Sequence, residues 1–195
     1  MRVGEPTDGR NSNRTVSLSV DPTRNCDAPT TGTTDPNPPE FHPRITMQEA
    51  TTTELQRLLD ERAIIDTTIA YCWAIDTRRW DVLRDRVFLA DATASLGSPL
   101  EGVERIIARI DFALSPLDTS QHMISNHDVT IAGDTATSRC YFQAQHVRRD
   151  AEGGPNYIVA GIYADDFLRT SAGWRIRHRT LTVLWTDGNT KVVRP

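Results

Sequence analysis

The spacing of apolar residues changes at Thr119, and this change constrains the fold more than any other feature of the chain. Before Thr119, apolar residues recur every three or four positions, as they do on one face of a helix. After it, they alternate with polar residues, as they do in strands that are buried on one face. Helices followed by strands predict an α+β fold in which the helices cover one face of a single sheet.

Three helices are predicted before Thr119. The first lies in the stretch 55–81, a short second one follows it, and the third spans 101–114 and ends before Pro116, because proline cannot continue a helix. The predicted buried stripe of the first helix ends on a carboxylate. Its members are Leu55, Leu58, Leu59, Arg62, Ile65, Ile69, Cys72 and Asp76.

Asp76 is the unusual member of this stripe. A carboxylate that faces a protein core is costly unless another group pairs with it. The alternative is an aspartate at a helix end that turns to solvent or caps the next helix over Thr77–Trp80. The residues around Asp76 leave both interpretations open.

Five strands are predicted, one short and four long. Short breaks that contain glycine separate the long strands, which is typical of hairpins. Three successive hairpins form an antiparallel meander, and strands this long must twist and curl. Regular alternation along the first long strand would place His122 and His127 on opposite faces. The strands are predicted over 91–96, 120–131, 135–149, 156–170 and 174–186.

Residues 1–48 differ in composition from the rest of the chain. They hold seven of the eleven prolines and show no periodic apolar pattern. Such a segment buries too little apolar surface to offset the entropy lost on ordering. We therefore predict a disordered tail over residues 1–48 and one folded domain over residues 49–195.

Charge and cysteine content exclude several classes of function. The net charge is −4 without any basic run, so we expect no nucleic-acid partner. No apolar run approaches the roughly 18 residues of a membrane helix, and no secretory signal is apparent at the N-terminus. The three cysteines lack Cys-x-x-Cys spacing, which predicts reduced thiols in a cytoplasmic protein. Zinc-type ligand spacing is also absent, so we expect no metal.

Four local patterns resemble the SnoaL-like branch of the NTF2-like superfamily, and together they cover about residues 50–190. The resemblance depends on their order and spacing along the chain. The patterns are Tyr-Cys-Trp-Ala-Ile-Asp-Thr-Arg-Arg-Trp-Asp at 71–81, Phe-Leu-Ala-Asp-Ala at 88–92, Gln-His-Met-Ile-Ser-Asn at 121–126, and Gly161-Ile162-Tyr163 followed by Asp165, Arg169 and Gly-Trp-Arg-Ile at 173–176.

This resemblance implies a cone in which three N-terminal helices pack on a curved, mixed, mainly antiparallel sheet around a pocket. It also implies cofactor-independent acid–base chemistry, as in scytalone dehydratase and hexachlorocyclohexane dehydrochlorinase. Asp76 and His122 match the Asp–His dyad of these enzymes, and Arg179 matches a pocket arginine. Residues expected to bind substrate are Tyr71, Trp73, Ile124, Phe142 and Trp185.

The chemistry of such a dyad follows from its two groups. A carboxylate bonded to one ring nitrogen fixes the histidine tautomer and stabilises the imidazolium that forms when the other nitrogen takes a proton. A cationic Arg179 in the pocket would stabilise negative charge that develops on the substrate.

The chain departs from scytalone dehydratase at the second pocket histidine, whose position falls near Cys140. His146 lies several residues away, and we predict it, like His127 and His178, on the surface or a strand face. Asp165 and Arg169 are predicted to form a structural pair.

Three functions fit this pattern. The leading one is an acid–base enzyme, a dehydratase, dehydrohalogenase, isomerase or cyclase that acts on a small, largely apolar molecule and forms a homodimer or homotrimer. The second is a non-catalytic scaffold like the small subunit of a ring-hydroxylating dioxygenase. The third is a module that binds a small ligand in the same cavity.

Overall fold

A computed structural model describes residues 52–193 of the chain, and the predicted tail over residues 1–48 lies outside this range. A helical half precedes a half made of long strands, as the change of period at Thr119 predicts. The elements are α1 (Thr52–Asp76), α2 (Trp80–Val82), a π-helical turn (Leu83–Val87), β1 (Phe88–Ser95), β2 (Pro99–Glu101), α3 (Val103–Leu114), β3 (Thr119–Ala132), β4 (Thr135–Val147), β5 (Asn156–Thr170), β6 (Gly173–Gly188) and a 3-10 turn (Thr190–Val192).

The six strands form one open sheet in the order β2-β1-β6-β5-β4-β3. Strands β3 to β6 are joined by three successive hairpins, which confirms the predicted meander. Strand β1 pairs with β6 in parallel, so the sheet is mixed. Strand β2 was not predicted, and its last residue, Glu101, falls at the start of the helix predicted over 101–114. None of the helices within residues 52–193 is long and apolar enough to cross a membrane.

Helices α1 and α3 cover one face of this sheet. Helix α1 packs against β3 and β6, and α3 packs against β1. The buried stripe of α3 matches the predicted one, because its apolar residues recur at helical spacing. Its members are Val103, Ile106, Ile107, Ile110 and Leu114.

The first half of α1 buries a different face from the predicted one. Leu55, Leu58 and Leu59 are exposed, and the buried face begins instead at Asp60 and continues through Ile64. Asp60 accepts two hydrogen bonds of 2.6 Å from Arg169 and one of 3.1 Å from the indole of Trp174. These bonds, with that from Arg169 the strongest, lower the pKa of Asp60 to about 2. The predicted pair of Asp165 with Arg169 is therefore wrong, because Arg169 forms its ion pair with Asp60.

The C-terminal end of α1 is closed by Arg78, which adopts a left-handed backbone with φ of 59°. Its guanidinium donates to the carbonyl of Ile75 at 2.5 Å and to the carbonyl of Leu114 at 2.6 Å. The carbonyls at a helix end lack partners within the helix, and a nearby cation satisfies them. One side chain thus ties the end of α1 to the end of α3.

Strand β3 carries a bulge that changes which residues face the helices. The register gains one residue between Ser125 and Asp128, and Asn126 has a φ of 55°. Such an extra residue interrupts the alternation of faces. His122 and His127 therefore both point toward α1, where His127 bonds the hydroxyl of Thr68 at 3.1 Å. The prediction that these histidines lie on opposite faces is wrong.

Candidate active site

The carboxylate of Asp76 is held at the end of α1 by three donors from β3. Its Oδ1 lies 2.6 Å from His122 Nδ1 and accepts a 2.9 Å hydrogen bond from the hydroxyl of Ser120. Its Oδ2 accepts a 2.7 Å hydrogen bond from the backbone N–H of His122. The structure therefore brings together the two residues that the sequence singled out as a dyad.

The ionisation of Asp76 fixes the tautomer of His122. Burial raises the pKa of this carboxyl, but the hydrogen bonds and charge of His122 and the hydrogen bond of Ser120 outweigh that effect and leave the pKa below its ordinary value. An ionised carboxylate only accepts hydrogen bonds. In the neutral form of His122, Nδ1 must then carry the ring proton, which leaves the lone pair on Nε2.

Arg78 stabilises the hydrogen bond between Ser120 and Asp76. Besides closing α1, its guanidinium donates to the hydroxyl of Ser120 at 3.1 Å, and that hydroxyl donates in turn to Asp76. A hydroxyl that accepts from a cation and donates to an anion has a fixed orientation. This role of Arg78 was not predicted from the sequence, although Arg78 lies inside the 71–81 pattern.

A cavity of about 740 Å³ lies between the two helices and the sheet. Helix α1 contributes Tyr71 and Ile75, and α3 contributes a stripe that includes Ile110. His122 lines this cavity, whereas Asp76 lies outside its lining and borders, with His122, a neighbouring surface groove. Such a volume suits a small organic ligand, and a mostly apolar lining with few polar groups is typical of ligand sites.

His146 belongs to the site, although it was predicted only as a surface or strand-face residue. It is only 7% exposed, lines the same cavity, and its ring centroid lies 5.7 Å from that of His122. Burial, together with the charge of His122, lowers the pKa of His146 to about 4. Its Nδ1 has no hydrogen-bond partner among the described residues. His146 and Phe142 are four residues apart on β4 and therefore share one face of the strand, which is buried. This shared face could have identified His146 as a residue of the cavity.

Arg179 does not face the cavity as predicted. It is completely buried, and both oxygens of Asp165 accept hydrogen bonds from its guanidinium, at 2.6 and 2.7 Å. Its guanidinium carbon also lies 4.0 Å from the ring centre of Tyr71 and 4.4 Å from that of Tyr163. The two rings, which line the cavity, cover the cation. Burial raises the pKa of both phenols, so the wall that they form is neutral.

Two of the five predicted substrate-binding residues line the cavity, Tyr71 and Phe142. Trp73 is 68% exposed, because its side chain leaves α1 away from the buried face. Ile124 lies beside the cavity in a surface groove shared with Trp73. Trp185 is 50% exposed, because a shift of register between Val183 and Trp185 turns it to the outer face of the sheet.

The chain is similar to several curated proteins. An uncharacterised protein of Mycobacterium tuberculosis is 36% identical over 129 residues, which are 63% of this chain and 84% of that protein. Terrestric acid biosynthesis cluster protein E of Penicillium crustosum is 30% identical over 140 residues, which are 68% of this chain and 88% of that protein.

Solved structures share the fold. A Kribbella flavida protein, Kfla4162, has 25% identity and a TM-score of 0.66 and covers 71% of this chain and 99% of its own. A candidate scytalone dehydratase of Novosphingobium aromaticivorans has 21% identity and a TM-score of 0.63, covering 70% and 91%. A hexachlorocyclohexane dehydrochlorinase of Novosphingobium barchaimii has 16% identity and a TM-score of 0.61, covering 70% and 94%. At these last two identities the likeness concerns the fold alone.

Three helices on an open, mixed six-stranded sheet around a cavity define an NTF2-like α+β cone. The model of the SnoaL-like domain matches residues 56–180, and the chain belongs to the SnoaL-like family.

The environment of His146 predicts a pH-dependent stability. An unfolded histidine titrates near its ordinary value of about 6.5, whereas burial depresses the pKa of His146 to about 4 in the folded chain. The unfolded state therefore binds the proton first, and stability falls as the pH drops from 6.5 toward 4. The contribution of His146 to this fall should be about 3 kcal/mol at most. Urea unfolding at pH 7 and at pH 4.5 measures it.

Two variants separate this effect from a loss of packing. Neither His146→Gln nor His146→Phe can take up a proton, so both should lose less stability between the two pH values than the wild type loses. A wild-type pH dependence in both variants would contradict the assignment.

Proposed function

We propose that this chain is a cofactor-independent acid–base enzyme of the dehydratase, dehydrohalogenase, isomerase or cyclase type. Its substrate is a small, largely apolar molecule that enters the cavity. The observation that carries the proposal is the 2.6 Å contact of His122 Nδ1 with Asp76, together with a cavity of about 740 Å³ at the same histidine.

His122 is the general base of this mechanism. Its Nε2 lone pair takes a proton from carbon or from an activated hydroxyl of the bound molecule, and the imidazolium that forms is stabilised by the ionised Asp76. The carboxylate is held by three hydrogen bonds before any substrate arrives, so it need not reorganise during the reaction.

His146 and Tyr71 are the other polar groups with a role in this proposal. His146 stays neutral above a pH of about 4, so it can exchange a hydrogen bond with the substrate without adding a charge beside His122. Tyr71 keeps its phenolic proton because burial raises its pKa. A neutral hydroxyl in the wall can donate to an oxygen or halogen that leaves the substrate.

The relatives support chemistry on small molecules. Relatives of the fold include a candidate scytalone dehydratase and a dehydrochlorinase, and a sequence relative belongs to a biosynthesis cluster. Both named activities remove a small group together with a proton. We assign that type of step to this chain because its histidine and carboxylate have the geometry that proton abstraction needs.

The outer face of the sheet offers a surface for association with a second copy of the chain. Exposed apolar side chains lie on the outer face of the sheet, among them Met123, Tyr141 and Trp185. Apolar groups on neighbouring strands are typical of interaction surfaces. We propose a homodimer or homotrimer through this face, for which sedimentation equilibrium of the purified chain is the measurement. A monomer that binds ligand without turnover would favour the binding-module alternative.

The dyad predicts the effects of two substitutions on turnover. His122→Ala should lower kcat by roughly 10²–10⁴-fold, which is the usual worth of a general base. Asp76→Asn should also lower kcat, because an amide that donates to Nδ1 holds the wrong tautomer. The double variant should lose little more than His122→Ala alone, since the two groups act as one unit. A substrate comes first from a screen of hydroxylated and halogenated cyclic compounds, with loss of water or HX detected by mass spectrometry.

His127→Gln is the matched control. His127 lies on the same strand and faces the same helix, but it bonds Thr68 and does not line the cavity. This variant should keep wild-type turnover. Wild-type turnover in His122→Ala would eliminate the dyad mechanism and leave the scaffold and binding-module alternatives.

A further inference from the structure

The charge of the cavity is opposite to that of the chain. The sequence has 26 acidic against 22 basic residues, yet no aspartate or glutamate lines the cavity. The lining contains one arginine, Arg109, beside histidines, hydroxyl groups and apolar side chains. A cavity with low-dielectric walls concentrates the field of the charge that it contains. The lining itself therefore offers a bound ligand one positive charge and no negative one.

Arg109 lies at the rim of the cavity. It is exposed on α3, one turn before Phe112 and Ala113, which also line the cavity and of which Phe112 is strongly exposed. Between residues 52 and 193 no hydrogen bond or ion pair occupies its guanidinium, whereas Arg84 on the π-helical turn is paired with Glu104 of α3. A guanidinium that faces a cavity with its donors unused can take a ligand.

The buried part of the lining includes His122 and His146, whose side chains are nearly buried. Apolar residues such as Ile110 and Leu181 also line the cavity. The cavity therefore combines three parts: two nearly buried histidines, apolar walls and one exposed cation. A ligand that uses all three parts carries an apolar body with an anionic group at the end away from the reacting atoms.

We propose that the ligand of this cavity is an amphipathic carboxylate, whose apolar body fills the cavity and whose carboxylate pairs with Arg109 at the rim. The position of the reacting end next to His122 rests on the proposed function, whereas the preference for a carboxylate does not. The planar guanidinium matches the two oxygens of a carboxylate, so the pair can be bidentate. A bound apolar body covers the pair from water on one side, which strengthens it relative to an exposed ion pair.

A matched pair of ligands tests this preference without a substrate. Naphthalene-2-carboxylate and naphthalene-2-carboxamide have the same body and differ in charge. Isothermal titration calorimetry of the full chain at pH 7.5 should show the carboxylate binding about tenfold tighter, the size of one charge-assisted hydrogen bond. Salt should reduce that ratio, because the pair at the rim is partly screened.

Substitutions on one helix then locate the effect. Arg109→Gln should reduce the carboxylate-to-amide ratio to about one and leave the affinity for the amide unchanged. Arg105→Gln is the control, since Arg105 is also exposed on α3 but does not line the cavity; it should keep the wild-type ratio. Circular dichroism checks that both variants are folded.

Several results would overturn the proposal. Equal affinities for the two ligands in the wild type, binding of neither, or a preference that survives Arg109→Gln would each contradict it. These results are distinct from failure of the proposed function. A His122→Ala variant with full turnover would eliminate the dyad but not the carboxylate preference, and loss of the preference would leave the dyad intact.

Discussion

The carboxylate of Asp76 is the constraint on which the rest of the site depends. It lies at the C-terminal end of α1, where the partial negative charge of the helix opposes an anion, and it is partly buried. It is tolerated there only because donors replace the water it has lost. All three donors come from Ser120 and His122, so the requirement of one charge fixes how β3 lies against α1. Arg78 extends the same network to the end of α3.

Two arginines show how the surroundings determine what a cation can do. Arg179 is paired with Asp165 and covered by the rings of Tyr71 and Tyr163. Its charge is therefore balanced within the wall and is not available to a ligand. Such a buried pair holds β5 and β6 together, and removal of either partner leaves an uncompensated charge. Arg109 keeps its donors free among the described residues and faces the cavity rim. Arg179 therefore matches the family's pocket arginine in sequence position, but it does not contact the cavity.

The sequence predicted the fold class and the meeting of Asp76 with His122, because both follow from periodicity and from ordered local patterns. It failed where one residue changed the parity of a strand. The bulge at Asn126 turned His127 to the same side as His122, and a register shift on β6 placed Trp185 outside the cavity. Periodicity cannot locate a bulge, since the extra residue leaves the local composition unchanged.

The sequence also could not show which acidic residue pairs with which arginine. The first turns of α1 present leucines on the predicted face, yet the pair of Asp60 with Arg169 selects the face that is buried. Asp165 is closer to Arg169 in sequence than to Arg179. The register of β5 with β6 nevertheless places Asp165 opposite Arg179. His146 was not predicted as a site residue for a different reason. It lies several residues from Cys140, the position expected for a second pocket histidine, yet it shares the buried face of β4 with Phe142.

The account rests on His122 being held in a single tautomer by Asp76. Nitrogen-15 NMR of a chain labelled at histidine, with His122 assigned through His122→Gln, measures this directly at pH 7.5. The account predicts a protonated Nδ1 and an unprotonated Nε2 for His122, with a strongly deshielded Nδ1 proton that disappears in Asp76→Asn. A His122 that is protonated at Nε2, or whose two nitrogens give averaged signals, would contradict it.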